Sequence, residues 1–322
     1  MKNRISYSLK VKPFLKWAGG KSQLLGQFQD YYPSELKTGK ITKYFEPFLG
    51  GGAVFLDVVQ KFSIESASLN DINEELILAY KVIQRNPETL IEFLYKYAKQ
   101  YFNLSEEERK SYFYEIRTNL NFQRFQINHK KYSENWIPRA AQLIFLNKTC
   151  FNGLFRLNKK GEFNVPFGKY VNPKILDEEN ILALSKILQI AEINAGNFYS
   201  TENNIDENSF VYFDPPYRPI SKTSSFTSYS KYSFNDPEQI KLGKYFAKLN
   251  GEKNAKLMLS NSDPTNENSN DTFFDDLFDG FNINKVNANR MINCNGNNRG
   301  QISELLITNY EVRNEKHRLH SC

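Results

Sequence analysis

Between Ile41 and Asp71 an apolar stretch, three consecutive glycines, a helical stretch and a second apolar stretch ending on an acid follow one another. Few architectures accommodate that order. Ile41 to Phe45 reads as a strand, Glu46-Pro47-Phe48-Leu49-Gly50-Gly51-Gly52 as a turn, Ala53 to Lys61 as a helix, and Ser66 to Leu69 as a strand delivering Asn70-Asp71, which together make a βαβ unit. In such a unit the glycines let a nucleoside ligand approach the backbone, and an acid at the second strand's tip bonds its ribose hydroxyls. The glycines alone fit a tight turn without a ligand equally well. The dinucleotide fingerprint G-x-G-x-x-G is broken because Phe55 stands where its third glycine belongs, so the ligand indicated lacks a pyrophosphate. S-adenosylmethionine is such a ligand.

The same alternation returns after Lys174. It gives a helix to Leu188, strands near Ala191–Asn194 and Phe210–Phe213, a helix over Pro237–Leu249, a strand over Lys256–Leu259, and late strands near Phe281–Val286 and Glu304–Thr308. A mostly parallel sheet follows, with its parts on both sides of a different middle. From Asn73 to about Leu146 the pattern is helical (Glu74–Gln84, Pro87–Tyr101, Glu106–Leu120, Pro138–Leu146), with Pro87 and Pro138 where a first turn tolerates proline. Residues 153–165 then alternate around Asn158-Lys159-Lys160-Gly161, a β-hairpin signal. The Asn- and Ser-rich stretches Asn261–Asn270 and Asn293–Asn298 read as solvent loops.

Charge separates the same middle. The chain carries 42 Lys and Arg against 36 Asp and Glu, a net of +6, and residues 74–173 alone hold 16 basic against 10 acidic residues. The remainder is balanced. A basic module beside a neutral body suggests a polyanion partner, although a solvated surface gives the same excess. Cys150, Cys294 and Cys322 are the three cysteines, without metal-ligand spacing, and three histidines add little; no structural metal and a reduced compartment are expected. With no leader-like apolar region and no long apolar run, the expected location is the cytoplasm.

Two further segments carry chemistry. Phe14-Leu15-Lys16-Trp17-Ala18-Gly19-Gly20-Lys21-Ser22 ends like a phosphate-binding loop, but Leu15 occupies the position of that motif's first glycine. Phe210-Val211-Tyr212-Phe213-Asp214-Pro215-Pro216-Tyr217 is more specific: an apolar strand delivers an acid to its C-terminal tip, two prolines stiffen the turn, and an aromatic ring follows. Methylation of an exocyclic amine needs those parts. The amine's lone pair is delocalised into the ring, and accepting hydrogen bonds from its N–H groups at Asp214 and the Pro215 carbonyl localises it again. Tyr217 offers a face for a base taken out of the duplex.

With these motifs in view, the chain closely resembles the Dam-type DNA adenine-N6 methyltransferases, the group that methylates adenine in GATC. The resemblance runs from Phe14 to Tyr310 through FLKWAGGK (14–21), EPFLGGGAVF (46–55), NDIN (70–73), FNGLFRLNKKGEFNVPFGKY (151–170), FDPPY (213–217), FTSYS (226–230) and RMINCNGNNRGQISELLITNY (290–310), in the order of the family's α group. It implies an α/β, Rossmann-like S-adenosylmethionine-dependent methyltransferase sheet, formed by residues 1–73 and 177–322, with an inserted helical plus β-hairpin DNA-recognition domain over 74–176.

Carried over position by position, the resemblance implies that Trp17, Lys21, Phe48, Gly50, Gly52, Asp71 and Asp214 bind the cofactor and that Asp214, Pro215, Pro216 and Tyr217 form the catalytic turn. Arg156 matches an arginine used on guanine, a bidentate donor suited to O6 and N7. Leu154 and Pro166 match residues that touch thymine methyls, and Lys16 a lysine that reaches the outer guanine. Phe151 stands where some members insert a tyrosine, and Asn152 and Asn158 complete the DNA-binding set. The expected enzyme is a monomer that acts on double-stranded DNA at GATC sites by base flipping and direct displacement, as one half of a restriction-modification system. No Cys, Ser or His constellation offers a nucleophile for a covalent route. A further expectation is that Ser221 to Phe234 closes over the flipped base and that Arg290 and Arg299 reach phosphates. His129, His317, His320 and the cysteines have no expected role. Two readings compete: a cytosine-N4 methyltransferase, which shares the amine chemistry but more often carries Ser before Pro-Pro, and a DNA-binding regulator that keeps the fold without activity.

Overall fold

The computed structural model describes residues 10–219, 234–289 and 301–312. Seven strands form one sheet: β1 (Lys43–Glu46), β2 (Ser66–Asp71), β3 (Ala191–Ala195), β4 (Ser209–Phe213), β5 (Lys256–Ser262), β6 (Asn282–Asn289) and β7 (Gln301–Thr308). Their order is β3-β2-β1-β4-β5-β7-β6, with the first five parallel and β7 antiparallel to both neighbours. The chain runs outward from β1 to β3 on one side, then returns to β4 and β5 on the other. The strand order switches direction between β1 and β4, and above the C-terminal tips at such a switch open α/β sheets form their ligand crevice.

Helices cover both faces. In chain order they are the short α1 (Leu25–Phe28) and α2 (Ser34–Lys37), then α3 (Ala53–Lys61), α4 (Glu74–Arg85), α5 (Pro87–Phe102), α6 (Glu106–Gln123), α7 (Trp136–Thr149), α8 (Glu178–Leu188), α9 (Asp236–Lys253) and α10 (Phe273–Leu277). Strand residues alternate between the two layers, as a pleat requires. Tyr44, Phe210, Tyr212, Met258 and Leu306 pack with α3, α4, α7 and α8, whereas Phe45, Val211, Phe213, Leu257 and Ile307 pack with α9 and α10.

The helical middle has clear start signals. Asn73 Oδ1 accepts the Glu75 and Leu76 N–H groups at 3.1 Å each, Pro87 opens α5, and Ser105 with Glu108 forms a capping box on α6. α7 is apolar nearly all round and is therefore buried, packed against α4, α5 and α6. Within it Arg139 offsets its burial with two bonds to Glu75 (2.7 and 2.6 Å) and one to the Leu120 carbonyl (2.9 Å). The hydrophobic cluster runs without a break from the sheet through α4 into this bundle.

Two expectations need correction. The stretch Asn261–Asn270 is not wholly a solvent loop: β5 continues to Ser262, and Asn261 is fully buried because its amide receives the Arg218 N–H and donates to Gln239 Oε1. The hairpin is also less regular than its alternation predicts, with one bridge, Leu157 to Phe163, flanked by backbone bonds from Asn158 to Glu162 (2.9 Å) and Asn164 to Arg156 (3.1 Å). Pro166 cannot donate to a ladder. Side chains of α6 replace the ladder, as Asn121 brackets the Phe163 N–H and carbonyl and Arg117 donates to the Val165 carbonyl. Residues 221–233 of the expected closing segment, Asn293–Asn298, Arg290, Arg299, Cys294, Cys322, His317 and His320 lie outside the described residues.

Candidate active site

Three carboxyl groups stand at adjacent tips of the sheet: Glu46 on β1, Asp71 on β2 and Asp214 just after β4. Their surroundings differ, and so do the tasks open to them.

Asp71 is held by backbone. Its Oδ2 accepts the Gly50 N–H and its Oδ1 the Asn73 N–H, both at 2.9 Å. Burial pushes its carboxyl above the usual carboxylate range, opposed by these N–H groups. The Ile72 N–H opposes the rise as well, and the carboxylate keeps part of its acceptor capacity for a diol. Gly50 and Gly52 adopt positive φ (47° and 66°). A Cβ on Gly50 would meet the Trp17 ring at 2.9 Å, and one on Gly52 the Tyr80 hydroxyl at 2.7 Å, so only glycine fits either place. Tyr80 also donates to the Gly50 carbonyl at 3.2 Å. Phe48, half-buried, stacks on Phe198 with centroids 5.4 Å apart. A glycine cradle roofed by an indole, with an acid at its rim and no cation paired to that acid among the described residues, suits a nucleoside whose ribose meets Asp71.

Asp214 is held by side chains. Lys21, buried in a 3₁₀ turn over Lys21–Gln23, places Nζ 2.9 Å from Asp214 Oδ1 and donates to the Gly19 carbonyl at 2.7 Å. Ser260 on β5 donates to the same oxygen at 2.9 Å, and its hydroxyl lies 2.8 Å from that of Tyr212. Because the single Ser260 proton goes to Asp214, Tyr212 is the donor in that pair. Both contacts fall on Oδ1; Oδ2, on a side chain 20% exposed, meets no donor among the described residues. Burial raises the Asp214 carboxyl, while Lys21 and Ser260 oppose the rise.

The turn after Asp214 is anchored throughout. Gln239 donates to the Pro216 carbonyl at 3.0 Å, leaving the Pro215 carbonyl without a donor among the described residues. Arg218 bonds Asp236 and Asp271, each at 2.8 Å, and lies over the Phe273 ring. Tyr217 donates to Glu304 at 2.5 Å and lies under the Lys21 ammonium, 4.4 Å from its ring centroid. Glu46, 2% exposed, accepts from Tyr44 (2.8 Å) and the Phe55 N–H (3.1 Å). Burial drives its carboxyl far up, with the Tyr44 bond opposing and the Asp214 charge adding to the rise.

The expected DNA-facing residues gather on one surface beside this crevice. Phe151 (52% exposed), Asn152, Arg156 and Pro166 are exposed, and Leu154 and Asn158 are partly covered. Arg156 spends Nε on Asn164 Oδ1 at 2.8 Å, which fixes the guanidinium plane. Asn158 is committed to the turn, accepting the Lys160 and Glu162 N–H groups and donating to Glu162 Oε2. The Lys16 side chain crosses Gly153, where a Cβ would lie 2.3 Å from it, and its ammonium sits 5.4 Å from the Tyr170 centroid. Asn147, fully buried, joins the parts: it accepts the Lys16 N–H and donates to the Lys16 and Gly153 carbonyls, each at 2.9 Å.

Sequence reasoning missed Ser260, Tyr212, Glu304, Glu46, Asn147 and Asn164 as parts of the site. Glu46, Tyr212, Asn164 and Glu304 lie inside segments quoted above, where nothing local marks their partners, while Ser260 and Asn147 stand at the polar ends of apolar stretches, a position that does not name a buried partner.

A fold of this topology, with an Asp-Pro-Pro-Tyr turn beside a glycine cradle, defines a methyltransferase acting on an amine. Residues 17–292 match the family model of the D12 class N6 adenine-specific DNA methyltransferases, and the chain belongs to that family. It is 51% identical to the Type II methyltransferase M.MjaIII of Methanocaldococcus jannaschii, over 94% of this chain and 100% of that protein. It is 38% identical to the Type II methyltransferase M1.LlaDCHI of Lactococcus lactis (96% and 98%) and 33% identical to a DNA adenine methylase of Vibrio cholerae (92% and 95%). The protein is an adenine-specific DNA methyltransferase, and its substrate is DNA. Among the described residues no group of side chains is arranged to hold a metal ion, and no helix is long and apolar enough to cross a membrane.

Proposed function

We propose that this enzyme methylates N6 of adenine in double-stranded GATC, with the base turned out of the duplex and S-adenosylmethionine as donor, in the cytoplasm and as the modification half of a restriction-modification system. The observation that carries the chemistry is the asymmetry of Asp214, whose Oδ1 is saturated by Lys21 and Ser260 while Oδ2 is left for a substrate.

The cofactor supplies an electrophilic methyl group on a sulfonium when bound. Asp71, Gly50, Gly52 and Phe48 would hold its nucleoside, and Trp17 with Lys21 its methionine end. Asp214 Oδ2 and the Pro215 carbonyl then accept the two adenine N–H bonds, which restores lone-pair density on N6 and aims it at the methyl carbon. Transfer would be a direct displacement: N6 bonds the methyl carbon as the C–S bond breaks and its electron pair stays on sulfur, and the surplus N6 proton passes through Asp214 Oδ2 to solvent. Orientation supplies most of the acceleration, and Tyr217 provides the stacking face for the extrahelical base.

Residues 74–176 act as the recognition domain in this reading. Arg156, with its plane fixed by Asn164, reads guanine; Leu154 and Pro166 meet thymine methyls; Lys16 reaches the outer guanine; Phe151 wedges into the stack, with Asn152 beside it. Asn158 acts on DNA by shaping the turn that presents Lys159 and Lys160 to phosphates. The GATC assignment is supported by the hairpin's match to Dam-type enzymes, and the restriction-modification context by relatives named Type II methyltransferases. Nucleoside mass spectrometry after reaction with duplex GATC DNA tests the proposal: N6-methyladenine is expected, and N4-methylcytosine would replace it with the competing assignment.

A further inference from the structure

Tyr217 is tethered at two points that do not involve DNA. Lys21 covers one ring face, and the phenol hydroxyl donates to Glu304 Oε2 at 2.5 Å. No aromatic ring among the described residues pairs with Tyr217, so its ring is held by these two contacts, on a backbone fixed by the stiff Pro-Pro turn and Gln239 before it and by Arg218 after it. Glu304 arrives from the far end of the chain. β7 is antiparallel between β5 and β6, with Glu304 in register with Ser262 on one side and Val286 on the other, so it is fixed by ladders on both flanks. Drawing a second carboxylate out of water at the edge of the Asp214 site is unfavourable unless it bonds something specific. A charged acceptor holds a neutral phenol more strongly than an amide carbonyl does.

We infer that Glu304 is a positioning residue for the methyl-transfer step: it fixes the Tyr217 ring plane so that the face opposite Lys21 is preorganised for the extrahelical adenine. This rests on the reading above in which Tyr217 stacks on that base. Stacking and in-line attack both depend on orientation within about 10–20°, and a ring free to swing loses adenine alignment without losing DNA affinity. The effect therefore falls on kcat rather than on KM for DNA or on cofactor affinity.

The test is a mutant cycle on the full chain, with kcat and KM on a GATC duplex, cofactor Kd by calorimetry, and melting temperature. Tyr217→Phe removes only the hydroxyl and Glu304→Ala only its acceptor. Each should lower kcat about tenfold, the scale of a small misalignment, with cofactor Kd unchanged, and the double variant should be no worse than either single one. Glu304→Gln should recover most of the loss. Additive effects, or a wild-type kcat in Tyr217→Phe, would overturn the inference; the second result does so even if Glu304→Ala folds poorly. Tyr217→Ala separates the two levels. If it alone is impaired, the ring matters but Glu304 does not hold it; if it too has wild-type kcat, the stacking reading itself fails.

Discussion

The indole of Trp17 stacks on the ring of Phe155, with centroids 5.2 Å and planes 20° apart, and the same indole roofs Gly50. Phe155 belongs to the hairpin proposed to read DNA, and Gly50 to the cradle proposed to hold the cofactor. One aromatic pair thus joins the two. Phe155→Ala should weaken S-adenosylmethionine binding several-fold although Phe155 does not line the cradle, because an aromatic pair is worth about 0.5–1.5 kcal/mol beyond its buried area and Trp17 loses its support. Calorimetry on the free enzyme checks this; an unchanged Kd would mean that Trp17 is held by other contacts.

Activity should fall on the acid side as Asp214 protonates, since Oδ1 is taken by Lys21 and Ser260 and a proton on Oδ2 puts a donor where the N6 amine needs a charged acceptor. Burial raises this carboxyl, and Lys21 and Ser260 restrain the rise. Ser260→Ala removes one restraint, so the acid limb of the pH–rate profile should move to higher pH. A limb that stays in place, or moves down, would show that Asp214 is not the titrating group. Stability runs the opposite way: a carboxyl pKa raised on folding lends stability at low pH, which is lost as pH climbs through the raised value.

Two glycines with similar backbones give an internal control. Gly52 and Gly39 have φ of 66° and 71°, but a Cβ on Gly52 meets Tyr80 at 2.7 Å while one on Gly39 meets nothing within 4 Å. Both alanine variants should lose about 1–3 kcal/mol from backbone strain. Only Gly52→Ala should also lose cofactor affinity, by tenfold or more.

On the hairpin, base contacts and phosphate contacts should separate. Arg156→Ala should cost about 1–3 kcal/mol on GATC and relax selectivity at one guanine, whereas Lys159→Ala or Lys160→Ala should weaken all sequences alike and lower the salt slope by about one. Titration of cognate and single-substituted duplexes across salt distinguishes these outcomes.

The sheet and its acids were legible because local rules act on consecutive residues. The helix Ala53–Lys61 was bounded correctly by Gly52 and the apolar periodicity before it reached Phe62, and Asp71 and Asp214 were found at strand tips. What stayed hidden depends on residues distant in sequence. Ser260 meets Asp214 across 46 positions, Glu304 meets Tyr217 across 87, and Asn147 meets Lys16 across 131; nothing in a lone Ser, Glu or Asn discloses its partner. Asn261 misled for a related reason. Its turn-forming composition was real, but Gln239 and the Arg218 N–H draw its amide into the core.

In the proposed reaction Asp214 directs a methyl group to N6 of the adenine in GATC. This is tested most directly by expressing the wild-type enzyme and Asp214→Ala in a host without adenine methylation and sequencing the DNA with modification detection at single bases. The wild type should leave N6-methyladenine at GATC, and Asp214→Ala that is folded and still binds duplex DNA should leave none. Methylation at another sequence would contradict the specificity, and GATC methylation by folded Asp214→Ala would contradict the mechanism.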